Sequence, residues 1–386
     1  MRFPRRTTTS AAVLTLLAAT VAGCTSDDEP AAAIQVVIGA DLASGSPVDT
    51  AYARALQLKI DQINASGSLG DRQLVLRIQD NRSDPTSSLR NISTFADDPS
   101  VVAVVAGSCG KCAVDAAKTI NDKQIPTIAL TATDRVATPV AQRRYLFKLG
   151  PNSGDSGAAL VAELVRTGTK KVAMLHADDY YGQDTSQLLT RELRDSKIEV
   201  SSSTSVKPTA TDITQAVGTL ADSEPDALVF LVGPEQAALA ATAAKAARFG
   251  GRIYFDAAAA SDLFIPREAA AASENATMVF TQTLAIDDVI ATTPAKAARK
   301  QWFRDYTSRY GSYSGVAAFA GDAADLIADG VARSGGDRNR VRDILETSQI
   351  DGLSGPIRIT PDNHSGLMPQ ALTLLVARSG RWRLAS

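Results

Sequence analysis

Short apolar, β-branched runs alternate with helical stretches along this chain, and no other feature limits its fold so strongly. IQVVIG at 34–39 reads as a strand. TAYARALQLKIDQINASG follows, with Leu56, Ile60 and Ile63 at helical spacing and Gly67 as a stop. RQLVLRIQD is a second strand. SDPTSSLRNISTFADD is a second helix, with Asp84 placed to cap it and Pro85 at its first position. SVVAVVAG is a buried strand, followed by the loop GSCGKC, a helix AVDAAKTIND and a strand IPTIAL. The rhythm resumes past residue 150 with KKVAMLHA, GQDTSQLLTRELRDS, IEVSSSTSV, TDITQAVGTLADS, DALVFLVG, PEQAALAATAAKAARFG and RIYFD. Alternation at this spacing predicts parallel sheets covered by helices.

One core is too few for this length. About 360 residues remain after the leader described below, and hydrophobic cores usually stop growing before that size. DDPSVVAVVAG and DSEPDALVFLVG share an order of acid, proline, buried strand and glycine, as two similar lobes would. After about residue 284 the pattern turns helical, through PAKAARKQWFRDYTSRYG, GVAAFAGDAADLIADGVARSG and VRDILETS, before GPIRIT and QALTLLVAR close it as strands. Such a tail suits a chain that returns to finish the faces of its first lobe.

The first residues, MRFPRRTTTSAAVLTLLAATVAGC, read as an export leader: arginines 2, 5 and 6, a short apolar core, then small residues before Cys24. Val-Ala-Gly-Cys resembles a bacterial lipobox, which predicts a leader at 1–24, lipidation of Cys24 and a flexible tether at 25–33. Loss of the three leader arginines takes the formal net charge from −2 to −5, which argues against a nucleic-acid partner. No later apolar run is long enough to span a bilayer.

The loop GSCGKC holds two of the three cysteines, Cys109 and Cys112. A redox motif, a metal clip and a phosphate loop all compete for it. Thioredoxin-like chemistry uses the same spacing where a strand meets a helix. Zinc would need further soft ligands, and only His176 and His364 are on offer, far apart. The phosphate-loop spacing is missed, with Cys112 in place of the hydroxyl. An oxidising destination favours a disulfide between Cys109 and Cys112. No metal site and no cofactor are expected.

Taken together, AYARALQLKIDQINASG, LVLRIQDNRSDP, VVAVVAGSCG, IPTIALTATD, KKVAMLHADDYYGQ, PDALVFLVGPEQAALAATAAKAARFG and GLSGPIRITPD resemble the periplasmic type I solute-binding proteins of the leucine/isoleucine/valine class. The likeness spans most of residues 34–377. It implies two parallel-sheet α/β lobes, 34–146 with 284–354 and 147–283 with 355–386, joined by three crossover strands near 146–149, 280–283 and 355–359. The ligand would lie between the lobes at the C-terminal ends of strands.

By the same resemblance, Cys112, Ala113, Ala132 and Thr133 would meet the ligand from the first lobe, and Tyr181 and Asp256 from the second. Each has a plainer reading: Thr133 as a turn cap, Tyr181 packed at a helix start, Asp256 as an N-cap. Lys111 either binds an acidic ligand or faces water. The chain departs from the family where serines usually stand near Cys112 and Ala113, where an aromatic is missing near Gly233, and at Ser83, in place of the cysteine that often links to this loop. The function implied is capture of a small polar solute, an amino acid of branched-chain type or related, for an ABC permease and its ATPase subunits. The protein would be monomeric and anchored outside the cell membrane through Cys24. A sensing lipoprotein of the same fold is the alternative. Without a nucleophile elbow, no enzyme is expected.

Overall fold

The computed structural model describes residues 33–385. The leader, Cys24 and all but the last residue of the tether lie outside the described residues. Strands and helices alternate from the start: β1 (Ile34–Leu42), α1 (Pro47–Ser66), β2 (Arg72–Asp80), α2 (Pro85–Asp97), β3 (Val101–Ala106), α3 (Gly110–Asp122), β4 (Thr127–Ala129) and β5 (Leu146–Lys148). The five strands form one parallel sheet in the order β2-β1-β3-β4-β5. β3, VVAVVA, lies between β1 and β4 and is buried at every position, as a parallel strand covered on both faces must be. Local chemistry sets the helix ends. Ser46 and Asp84 accept from the backbone N–H of Asp49 and Ser87, prolines follow both caps, and Gly67 closes α1 with φ 65°.

The second lobe follows with α4 (Ser153–Arg166), β6 (Lys171–Ala177), α5 (Tyr180–Asp195), β7 (Glu199–Val206), α6 (Thr214–Ala221), β8 (Ala227–Leu231), α7 (Pro234–Ala246), β9 (Arg252–Phe255), α8 (Arg267–Ser273) and β10 (Thr277–Thr281). The chain then supplies α9 (Pro294–Tyr310), α10 (Ala317–Ser334), α11 (Arg338–Glu346), the short pair β11 (Gln349–Asp351) and β12 (Pro356–Arg358), then β13 (Leu372–Arg378) and β14 (Arg381–Leu384). The second sheet runs β14-β13-β10-β9-β8-β6-β7.

That sheet is not parallel throughout. β13 pairs antiparallel with both β10 and β14. For β13 and β14 the cause is the Ser379–Gly380 turn, whose residues have φ 53° and 74°; two left-handed residues make a tight hairpin, and hairpin strands can only be antiparallel. At the other lobe, β5 pairs with β4 over Leu146–Lys148, so the first sheet runs past the expected boundary at 146.

The helical tail returns to the first lobe. α10 packs on α1 and β3, and α11 on β3. Alanines and Gly321 let α10 approach closely: a Cβ at Gly321 would lie 2.7 Å from Leu353. Asp322, on the same helix and fully buried, accepts from Leu353 N at 2.6 Å, Ser354 N at 2.8 Å and Ser354 Oγ at 2.5 Å, fixing the crossing back to the second lobe.

Candidate binding cleft

A cavity of about 610 Å³ lies between the lobes, lined by loops that leave the C-terminal ends of strands in both sheets. Its size is that of a small-molecule pocket.

The first-lobe wall comes from the loops after β1, β3 and β4. Asp49, in the first turn of α1, ties two of them together: its Oδ2 accepts from Ala43 N and its Oδ1 from Ser108 N, both at 2.7 Å. Burial raises its carboxyl above the usual range, against the pull of those backbone donors. Gly107 makes room for it, since a Cβ there would sit 2.7 Å from the carboxylate. α3 begins at Gly110, one turn earlier than its apolar pattern predicts. Its cap is Cys109, whose sulfur faces Cys112 N at 3.2 Å and is joined to Cys112 in a disulfide. A Cβ at Gly110 would lie 2.8 Å from Thr133 and 2.9 Å from Thr131, so the helix start is seated on the Thr131–Thr133 turn.

The early start of α3 changes which residues face the cavity. Gly110 and Lys111 line it; Cys112 and Ala113 do not. Ala113 points into the core beneath α3, and both residues are almost fully buried. Ala132 and Thr133 do line the cavity, with Thr131 between Leu130 and them. Thr133 also accepts weakly from Arg135 N, at 3.3 Å. Lys111 contacts Asp115 at 2.5 Å and lies 5.5 Å from the Tyr180 ring centroid, so its charge is already partnered.

The second-lobe wall carries Tyr181 and Asp256. Asp179 caps α5 by accepting from Gly182 N at 2.8 Å. Only glycine fits at 182, where a Cβ would lie 2.1 Å from the Ala177 carbonyl oxygen. That entry angle turns Tyr181 inward, and its hydroxyl donates to Asp256 Oδ1. The same oxygen accepts from Ala258 N at 2.8 Å, capping a one-turn 3-10 segment, so Asp256 is both an N-cap and a cavity residue. Asp256 is 2% exposed, and burial outweighs its hydrogen bonds to push the carboxyl up to about 6. Burial and the neighbouring carboxylate raise the Tyr181 hydroxyl well above its ordinary value, which keeps it a neutral donor.

Sequence reasoning missed much of the lining. Ser46 and Ser108 face each other across the first wall at 3.5 Å. Ser153 and Ser156, in the first turn of α4, join Asp256 on the second. Phe280, Val316 and Phe319 form an apolar part of the lining, with Phe280 and Phe319 edge to face at 5.8 Å. Ser46 followed by Pro47 was a readable cap signal; the phenylalanines carry no local signal at all.

The family model described as periplasmic binding protein matches residues 37–381. The chain belongs to the periplasmic binding protein family. Solved structures agree on the fold. An extracellular ligand-binding receptor from Rhodopseudomonas palustris HaA2 superposes with a TM-score of 0.80 at 20% identity, covering 91% of this chain and 99% of that one. An ABC transporter solute-binding protein from R. palustris in complex with benzoate gives 0.79 at 17% identity, with 91% and 96% covered. An ABC transporter substrate-binding protein from Desulfitobacterium hafniense in complex with Leu gives 0.73 at 16% identity, with 91% and 100% covered. None of the curated proteins compared with the chain matches it. The type I fold expected for this periplasmic binding protein is present: two mostly parallel α/β lobes around one cleft. Among the described residues, no helix is long and apolar enough to cross a membrane.

Proposed function

We propose that this periplasmic binding protein is the solute-binding subunit of an ABC importer, lipid-anchored through Cys24, and that it captures a small solute bearing a protonated amine, such as an α-amino acid. The observation that carries the reading is Asp256. It is a buried carboxylate on the cavity wall, where Tyr181 Oη and Ala258 N both donate to Oδ1 and the Ser156 hydroxyl also steadies the charge, yet burial still outweighs these donors. An ammonium group would supply the opposite charge that burial has removed from water. Opposite it, Thr131, Thr133 and Ser108 offer hydroxyls, and the N-terminus of α3 favours an anion such as a ligand carboxylate. The apolar patch of Phe280, Val316 and Phe319 would receive an aliphatic or aromatic side chain.

A thermal-shift screen of amino acids, amides and aromatic carboxylates tests this. A true ligand at a hundred times its dissociation constant stabilises by about 2.7 kcal/mol. Amino acids are expected to respond. Benzoate and its hydroxylated relatives are not, because they bring no ammonium to Asp256 and leave that buried carboxylate without an opposite charge. A response to aromatic acids alone would overturn the reading. Cys24→Ala is expected to release the protein from the membrane fraction or leave it unprocessed.

A further inference from the structure

Four side chains meet where the two lobes touch at the cleft. Arg135 belongs to the first lobe, in the short turn between β4 and β5. Tyr180 and Asp184 belong to α5 of the second. Arg135 Nε and Nη2 donate to Asp184 Oδ2 and Oδ1, each at 2.6 Å, the two-pronged geometry that gives guanidinium–carboxylate pairs their directionality. The Arg135 guanidinium lies 4.3 Å from the Tyr180 ring centroid, and Lys111 Nζ lies 5.5 Å from the same ring. Both cations come from the first lobe and the ring from the second, so each contact crosses the interface.

We propose that Arg135, Asp184, Tyr180 and Lys111 form an ionic latch that draws the lobes together without a ligand. None of these contacts is within one lobe, so separating the lobes breaks all of them at once. Three chain crossings connect the lobes covalently, which leaves the closing equilibrium to weak contacts of this kind. The latch raises the fraction of empty protein that is closed, and the affinity for a ligand gripped by both walls rises with that fraction. Arg135 and Asp184 keep 39% and 43% of their side-chain exposure, so the latch is open to screening by salt. The inference rests on the two-lobed fold and not on the identity of the solute.

Single-molecule energy transfer tests it on the ligand-free protein. Dyes are attached through non-natural amino acids at Lys118 on α3 and Arg191 on α5, both exposed. Between about 0.01 M and 1 M salt, where the Debye length falls from about 30 Å to about 3 Å, the closed fraction is expected to drop. Asp184→Asn and Arg135→Ala are each expected to lower the closed-to-open ratio about two- to fivefold at low salt, the range an exposed pair produces. Each variant should also respond less to salt than wild type, with only the contacts to Tyr180 left to screen. The exchange Arg135→Asp with Asp184→Arg should restore the closed population and its salt dependence. Distributions that are the same in wild type and both single variants at either salt would overturn the latch. So would an exchange variant that stays as open as the singles. Neither outcome bears on whether Asp256 holds an amine.

Discussion

Asp49 and Asp256 sit on opposite walls of the cleft, equally hidden from solvent, and they are finished in different ways. Asp49 has one backbone donor on each oxygen, from Ser108 and Ala43, and it stands behind the lining rather than in it. Asp256 has two donors on one oxygen and borders the cavity. The first carboxylate holds loops together; the second stands at the cavity, where we place the amine of a solute. Burial of an acid therefore says little about its role until the direction of its donors is known.

Replacing each residue should separate the two roles. The largest effect is expected from Asp256→Asn, which should weaken binding of an amino-acid ligand about a hundredfold in calorimetry, near 3 kcal/mol for a hydrogen bond to charge. An affinity within about threefold of wild type would remove Asp256 from the site. Asp49→Ala should instead act on stability, lowering it by about 2–3 kcal/mol in urea unfolding, because the N–H groups of Ala43 and Ser108 lose their acceptors. Serine at both 109 and 112 removes a very short disulfide loop and should cost less, at most about 2 kcal/mol in the chain-entropy account, with mass spectrometry of the unreduced wild type checking the bridge.

Acidity gives the finest test. The carboxyl of Asp256 is raised to about 6 in the empty protein, so binding an amine demands a proton be released below that pH. Affinity should then fall by up to about tenfold per pH unit under pH 6, and Asp256→Asn should abolish that slope. The empty protein should move the other way. Asp256 and Asp322 are both raised to about 6, so their contribution to stability is present at low pH and is lost as pH rises through about 6. Thermal melts with and without ligand, run between pH 5 and 7, would show the two trends diverge or fail to.

Much of this arrangement was legible in one dimension. The caps at Asp84 and Gly67 and the buried run of β3 depend on neighbours within a few residues, so their signals are local. α4 went unread because its first turn is Ser-Gly-Asp-Ser-Gly, and its apolar stripe of Leu160, Val161 and Leu164 begins only after it; Gly157 lets Glu192 of α5 approach, where a Cβ would come within 3.1 Å. Cys112 and Ala113, expected at the ligand, are buried residues of the first turn of α3 outside the cavity lining, because a cap at Cys109 moved the helix start and left Gly110 and Lys111 at the opening.

From its residues alone this periplasmic binding protein declared alternating strands and helices in two lobes, because periodicity and caps act over a few residues of chain, while the cleft at the strand ends was implied only by the family resemblance. The partners of its acids came from elsewhere: Asp256 meets Tyr181, 75 residues away, Asp49 meets Ser108, 59 away, and Arg135 meets Asp184, 49 away. Which carboxylate borders the cavity is therefore a property of packing, since charge in a buried site is governed by whatever the fold sets beside it.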